Sequence, residues 1–168
     1  MSNNLERNIR IKVMSLNDVA ALRAQWKTEE QKVVFTNGVF DILHAGHVQS
    51  LMQARANGTR LILGLNADAS VKRLKGESRP IIKEQDRALL LAALQFVDAV
   101  ILFEEDTPAK LIETLLPDVL VKSADYNIDN IVGAKEVIAN GGEVKIMPFV
   151  QGLSTTNIIN KIKELEAS

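Results

Sequence analysis

At 168 residues, 46% hydrophobic and 24% charged, the chain has the length and balance of one globular domain with a full-sized core, and a second large domain would not fit. Its 20 Lys and Arg stand against 21 Asp and Glu, a formal net charge of -1, so the totals hold no basic face for nucleic acid and phosphate chemistry would have to use local positive charge. The absence of cysteine excludes disulfides, thiolate nucleophiles and Cys-ligated zinc; no stretch nears the ~18 apolar residues of a membrane span and the start lacks a secretory pattern, so a cytoplasmic protein away from membranes is expected.

Residues 1–32 read as an N-terminal helical leader. In it SLNDVAALRAQWKTEEQ is a capped helix that would pack Val19, Leu22 and Trp26 on the outside of a sheet, and the leader's apolar residues could support a homo-oligomer. From 33 to 168 a single domain is expected. Its β-rich runs are VVFTN at 33–37, RLILGLN at 60–66, DAVILF at 98–103, DVLVK at 118–122 and EVKIMPF at 143–149. Between and after them lie helical patterns near 46–57, 84–95, 107–115, 131–140 and 154–166. Strand and helix therefore alternate, which demands crossover connections and gives an α/β fold: a doubly wound, five-stranded parallel sheet with ligands at the carboxyl ends of its strands.

The first strand runs into Thr36-Asn37-Gly38-Val39-Phe40-Asp41-Ile42-Leu43-His44-Ala45-Gly46-His47, with a helix predicted from about Gly46; both histidines of the chain stand here. A strand-to-helix turn offers unpaired N–H groups and the positive end of a helix dipole, and Gly38 and Gly46 let backbone approach a ligand. Two imidazoles three residues apart can donate to phosphoryl oxygens from one pocket, although an H-x-x-H pair can equally cap a helix. Zinc is disfavoured, because no further His or Cys exists to complete its ligands. Asp41 either orients this turn or an ion-bound water, or caps the helix entry.

The second strand ends at Asn66-Ala67-Asp68, and a loop bearing Lys72, Arg73, Lys75 and Arg79 is expected beyond it, either a solvated basic loop or a set of phosphate contacts. After the fourth strand come Lys122-Ser123-Ala124-Asp125-Tyr126, a cation at the sheet's carboxyl edge followed by an acid, or a surface salt bridge. The last helix opens with Gly152-Leu153-Ser154-Thr155-Thr156, whose hydroxyls suit an N-cap or a second anion site.

The run Phe40-Asp41-Ile42-Leu43-His44-Ala45-Gly46-His47 resembles the HxGH signature of the cytidylyltransferase-like nucleotidyltransferases, and the likeness extends from Val33 to Ile162. Within that family, R-L-K-G-E-S-R-P at 73–80 and F-E-E-D-T-P at 103–108 resemble the branch that adenylylates heptose 1-phosphate. The resemblance implies a Rossmann-like nucleotidyltransferase fold for 33–168, with ATP and a sugar 1-phosphate as substrates and pyrophosphate as leaving group. It implies His44, His47 and Lys122 as catalytic, and Thr36, Asn37, Gly38, Phe40, Asp41, Gly46, Asn66, Asp68, Ser154, Thr155 and Thr156 as nucleotide-binding. Lys72, Arg79 and Asp125 would meet the sugar phosphate.

The triphosphate implies Mg²⁺ with no dedicated protein cage. The sugar kinase to which such domains are usually fused is expected here as a separate pathway partner. Family members commonly read Lys-Gly-Gly-Asp-Tyr where Ser123 and Ala124 stand, and some carry an Arg soon after the Ser-Thr element, where the first cation here is Lys161. Other readings are a cytidylyltransferase acting on glycerol 3-phosphate or a similar alcohol phosphate, and an inactive nucleotide-binding module.

Overall fold

Five parallel strands form one sheet in the computed structural model, which describes residues 2–123, 130–148 and 153–166. They are β1 (Val33–Gly38), β2 (Arg60–Asn66), β3 (Ala99–Phe103), β4 (Val119–Ser123) and β5 (Glu143–Met147), in the order β3-β2-β1-β4-β5. Successive side chains of a strand point to opposite faces, so an apolar run without polar alternation must be covered on both. Phe35, Ile62, Ile101 and Leu120 enter one buried cluster, while Val34, Leu61, Leu63, Val100, Val119 and Val121 enter the other.

The first cluster is completed by α2 (Leu16–Thr28), α6 (Ala109–Leu115) and α7 (Ala134–Ala139), the second mainly by α3 (Ala45–Arg55) and α5 (Glu84–Ala92). The sheet is thus doubly wound, as the alternation predicts. Helix α2 begins after Ser15, whose hydroxyl accepts from Asp18 N, and it buries Val19 and Trp26 against the sheet, with Leu22 packed beside them.

Two helices depart from the sequence reading. The leader holds a second helix, α1 (Ser2–Arg10), which touches the core through Ile9 and is otherwise too polar to show apolar periodicity. Beyond it Val13 bridges to Val100, so the leader covers part of the β3 edge. The expected basic loop after β2 is helix α4 (Asp68–Lys75), ended by Gly76 at φ 97°. Only Ser70 and Val71 are buried in it, too few to register as a stripe. The last helix, α8, spans Thr155–Glu166. Among the described residues no helix is long and apolar enough to cross a membrane.

At the amino edge of the sheet one device is used twice. The carboxylate of Asp118 accepts from Val33 N at 2.7 Å and that of Asp98 from Leu61 N at 2.8 Å, each tying the start of one strand to the start of its neighbour. Their second oxygens take Arg23 at 2.8 Å and Arg60 at 3.1 Å, and Arg60 also lies over the Trp26 ring, 5.4 Å from its centroid. The amino edge is thereby closed by internal pairs. Arg23 is 7% exposed, so Asp118→Ala would strand a buried guanidinium and the Val33 N–H. An urea denaturation series should show a loss of about 2–3 kcal/mol; a loss below about 0.5 kcal/mol, the size of a neutral surface change, would show that the pair does not hold this edge.

Candidate active site

Strand β1 pairs with β2 as far as Gly38↔Leu65, but its ladder with β4 runs only through Phe35↔Leu120. The next strands are laid down in opposite directions from this point, which leaves a crevice at the carboxyl ends of β1 and β4. Lys122, at the end of β4 and 8% exposed, reaches across it and donates to the side-chain oxygen of Asn37. Thr36, Asn37 and Gly38 form the half-buried end of β1.

The turn that follows is held tightly. Phe40 takes φ 47°, in the left-handed region uncommon for a bulky residue, and its ring meets His47 edge-on at 5.3 Å. Asp41, 2% exposed, accepts from Arg79 Nε at 2.5 Å and from the N–H groups of Ile81 and Ile82 at 2.7 and 2.8 Å. Burial pushes this carboxyl up, but the two N–H groups and the Arg79 guanidinium outweigh it and hold the group below its ordinary value. Asp41 therefore caps no helix. The N-cap of α3 is His44, whose Nδ1 accepts from His47 N at 3.4 Å, and the helix starts at Ala45.

The two imidazoles stack, with centroids 3.8 Å apart and planes 20° from parallel. Burial lowers the affinity of His44 for a proton; burial and then the neighbouring His44 bring His47 from 6.5 down to about 4. Both rings are neutral at pH 7. Since Nδ1 of His44 is an acceptor, its proton sits on Nε2. That atom and His47 Nδ1 are buried without a hydrogen-bond partner among the described residues, so the pair is equipped to meet a ligand's oxygens.

Gly46 brings a second helix to this point. A Cβ there would lie 3.0 Å from His44 Nδ1 and 3.0 Å from Leu153 Cβ, so only glycine lets the start of α3 touch the residue leading into α8. Ser154 Oγ accepts from Asn157 N at 3.1 Å, capping α8, and Thr155 and Thr156 stand in its first turn. The positive ends of two helix dipoles thus adjoin.

Other sequence-predicted residues are spread more widely. Asn66 is buried and bonded to Ser70, while the Asp68 carboxylate pairs with Arg87 at 2.6 Å. Lys72 lies on the exposed face of α4, and its side chain makes no hydrogen bond or ion pair among the described residues. Arg79 is brought to the His turn through Asp41. Asp125 lies outside the described residues. The F-E-E-D-T-P run is a tie to α4: Ser70 donates to Glu105 O at 3.2 Å, and Arg73 reaches Asp106 at 2.8 Å and Glu104 O.

Sequence reasoning missed Arg87 and Glu84. Arg87 is 1% exposed and donates to Ile82 O, Val39 O, Asn66 O and Asp68, joining three segments around the site. Glu84 accepts from Asp68 N at 2.6 Å, capping α4, which has no cap of its own. The available signal was the placing of Arg87 on the apolar stripe with Ala88, Leu91 and Ala92, where a charge survives only if fully paired. No three His, Cys, Asp or Glu side chains among the described residues cluster to hold a metal, and Asp41 is already committed.

The family model described as Cytidylyltransferase-like matches residues 35–161. The Bifunctional protein HldE of Geobacter sulfurreducens is 54% identical over 151 residues, covering 90% of this chain and 31% of that protein. The chain thus spans about a third of the length of the curated relatives it matches. The crystal structure of the lipopolysaccharide core biosynthesis protein from Thermoplasma volcanium is 30% identical, with a TM-score of 0.57 over 71% of this chain and 97% of that one. A pantoate-beta-alanine ligase from Francisella tularensis, complexed with beta-gamma ATP and beta-alanine, shares the fold at 15% identity, with a TM-score of 0.57 over 93% of this chain and 80% of that one.

The low proton affinity of His47 fixes the sign of a stability effect. Unfolded, it takes a proton near 6.5, whereas folded it does so only near 4, so in this window the unfolded state binds more protons and stability falls as pH falls. Urea midpoints measured between pH 7.5 and 4 should drop more steeply for the wild type than for His47→Gln. Parallel profiles would mean that His47 is not held neutral by its surroundings.

Proposed function

The chain belongs to the cytidylyltransferase-like family, and from that premise we propose that it transfers an adenylyl group from ATP to D-glycero-β-D-manno-heptose 1-phosphate, forming ADP-heptose and releasing pyrophosphate. The observation that carries this reading is the meeting of two helix N-termini at Gly46, beside a neutral, stacked histidine pair with unpaired nitrogens. Such an arrangement suits a polyphosphate better than any other ligand class. The likeness of the 73–80 and 103–108 runs to the heptose branch supports the choice of sugar, as does the name shared by the curated relatives.

A phosphate oxygen of the sugar phosphate attacks the α-phosphorus of ATP. The bond from that phosphorus to the bridging oxygen of pyrophosphate breaks, and pyrophosphate leaves with the electron pair. The attacking oxygen is already anionic, so no general base is needed and the work is positioning and charge stabilisation. His44 Nε2–H and the His47 imidazole, whose Nδ1 is likewise unpaired among the described residues, donate to the phosphoryl oxygens as charge builds on them. Lys122, already turned across the crevice by Asn37, supplies the fixed positive charge, and the Ser154–Thr156 turn receives the far end of the triphosphate. ATP enters as its Mg²⁺ complex, the ion belonging to the substrate. The heptose 1-phosphate comes from a kinase, carried in the same polypeptide or separate, and the reaction is placed in the cytoplasm.

Pyrophosphate release, assayed with Mg²⁺ and ATP, CTP or GTP against heptose 1-phosphate or glycerol 3-phosphate, should occur with ATP and the heptose substrate. Release with CTP and glycerol 3-phosphate instead would move the chain to another branch of the family, and none with any pair would leave a nucleotide-binding module. His47→Asn should lower kcat about 10²–10³-fold, the cost of one lost transition-state donor, while ATP affinity in a direct titration changes by less than about fivefold. Equal losses in both would assign the histidine to ground-state binding alone.

A further inference from the structure

The segment between α4 and α5, residues 76–83, crosses the site as a strap without regular structure. Beyond the turns at its own ends, its hydrogen bonds among the described residues go to two side chains. Asp41 takes the N–H groups of Ile81 and Ile82 together with Arg79 Nε, and Arg87 donates to Ile82 O at 2.8 Å. The same Arg87 guanidinium holds Val39 O at 2.7 Å, two residues before Asp41, so strap and His turn are closed into one ring of bonds. Neither can shift without breaking a buried charge-assisted contact.

The outcome of this ring is the pose of Arg79. Its Nε is fixed on Asp41, and its two terminal amino groups have no partner among the described residues, on a side chain 18% exposed. A guanidinium held by one edge and open at the other is a fork prepared for a phosphate. Its side of the crevice follows from the sheet order. The strap comes off β2 through α4, whereas α8 comes off β5, and β2 and β5 lie on opposite sides of β1. In-line displacement at the α-phosphorus requires the attacking and leaving groups on opposite sides of it. With the triphosphate tail at the α8 turn, Arg79 is left on the side of the attacker.

We propose that Asp41 and Arg87 are positioning residues that hold the Arg79 fork for the phosphate of the acceptor sugar phosphate, a role that rests on the adenylyl-transfer reading above. Asp41→Asn and Arg87→Lys loosen the strap from its two anchorages, and either variant carries the test if the other fails to fold. Steady-state kinetics should show KM for heptose 1-phosphate raised at least about tenfold, with KM for ATP changed less than about threefold. Arg23→Lys, which alters a buried arginine at the opposite edge of the sheet, should lower the melting temperature without moving either KM. A second arm needs no turnover: calorimetric titration with inorganic phosphate should give an affinity at least about fivefold weaker in both strap variants than in wild type and Arg23→Lys. Equal rises in both KM values, or a fall in activity matching only the unfolded fraction, would overturn the proposal. So would phosphate affinity unchanged in the strap variants or absent from the wild type. A wild type that binds phosphate through the strap but turns over neither heptose 1-phosphate nor ATP would sink the reaction assigned above and leave the strap's role standing.

Discussion

The crevice exists because the chain reverses its direction of winding at β1. From β1 the sheet grows through β2 to β3, and the crossover through α6 then returns to lay β4 on the other side of β1. No single connection can cap the carboxyl ends of both central strands, so a gap opens where their ladder stops at Phe35↔Leu120. At the amino edge Asp98 ties the start of β3 to that of β2, and Asp118 the start of β4 to that of β1. Polar groups that would go unmatched in a closed sheet are concentrated at one place.

Around that gap, the side chains that hold are separate from those that can touch a ligand. Asp41, Arg87 and Lys122 are all under a tenth exposed, and each has a hydrogen-bonded partner that offsets the cost of taking charge out of water. Arg79 and the two histidines lie nearer the surface, with donor atoms not taken up by the fold. Truncating one of the buried set would strand a charge and disturb geometry, whereas truncating His47, whose Nδ1 has no partner among the described residues, removes a contact. This difference is why paired kinetic and stability measurements can separate the two groups.

The strand and helix alternation was legible because each strand is an apolar run and most helices carry a stripe. Helices α1 and α4 were not, since each buries little apolar surface and α4 takes its cap from Glu84, sixteen residues beyond Asp68. The His turn was legible as a strand-to-helix turn from its place after β1 and its two glycines. The use of Asp41 as an anchor for 79–82 was not, because nothing local to Asp41 says that a segment about 40 residues on will fold back onto it. Gly46 was read as giving a ligand room; what the structure shows is that it makes room for Leu153, a contact 107 positions away in sequence. Arg87 was hidden for the same reason: its four acceptors come from three separate turns and meet only when the sheet is complete.

The choice of neutral imidazoles has a consequence for rate on the proposed reaction. Full positive charges lining the pocket would bind ATP, sugar phosphate and pyrophosphate alike, and binding that is equal in ground and transition states lowers KM without raising kcat. A neutral N–H aimed from a dry pocket interacts modestly with a resting phosphate and more strongly as charge accumulates on its oxygens. Burial enforces that neutrality in both rings, and for His47 the neighbouring His44, stacked at 3.8 Å, adds to it. A chain with a net charge of -1 thus keeps its positive potential in helix ends, one lysine at the crevice and one held arginine. On the proposed reaction, those sources would draw in a triphosphate without a dense cationic pocket that holds pyrophosphate.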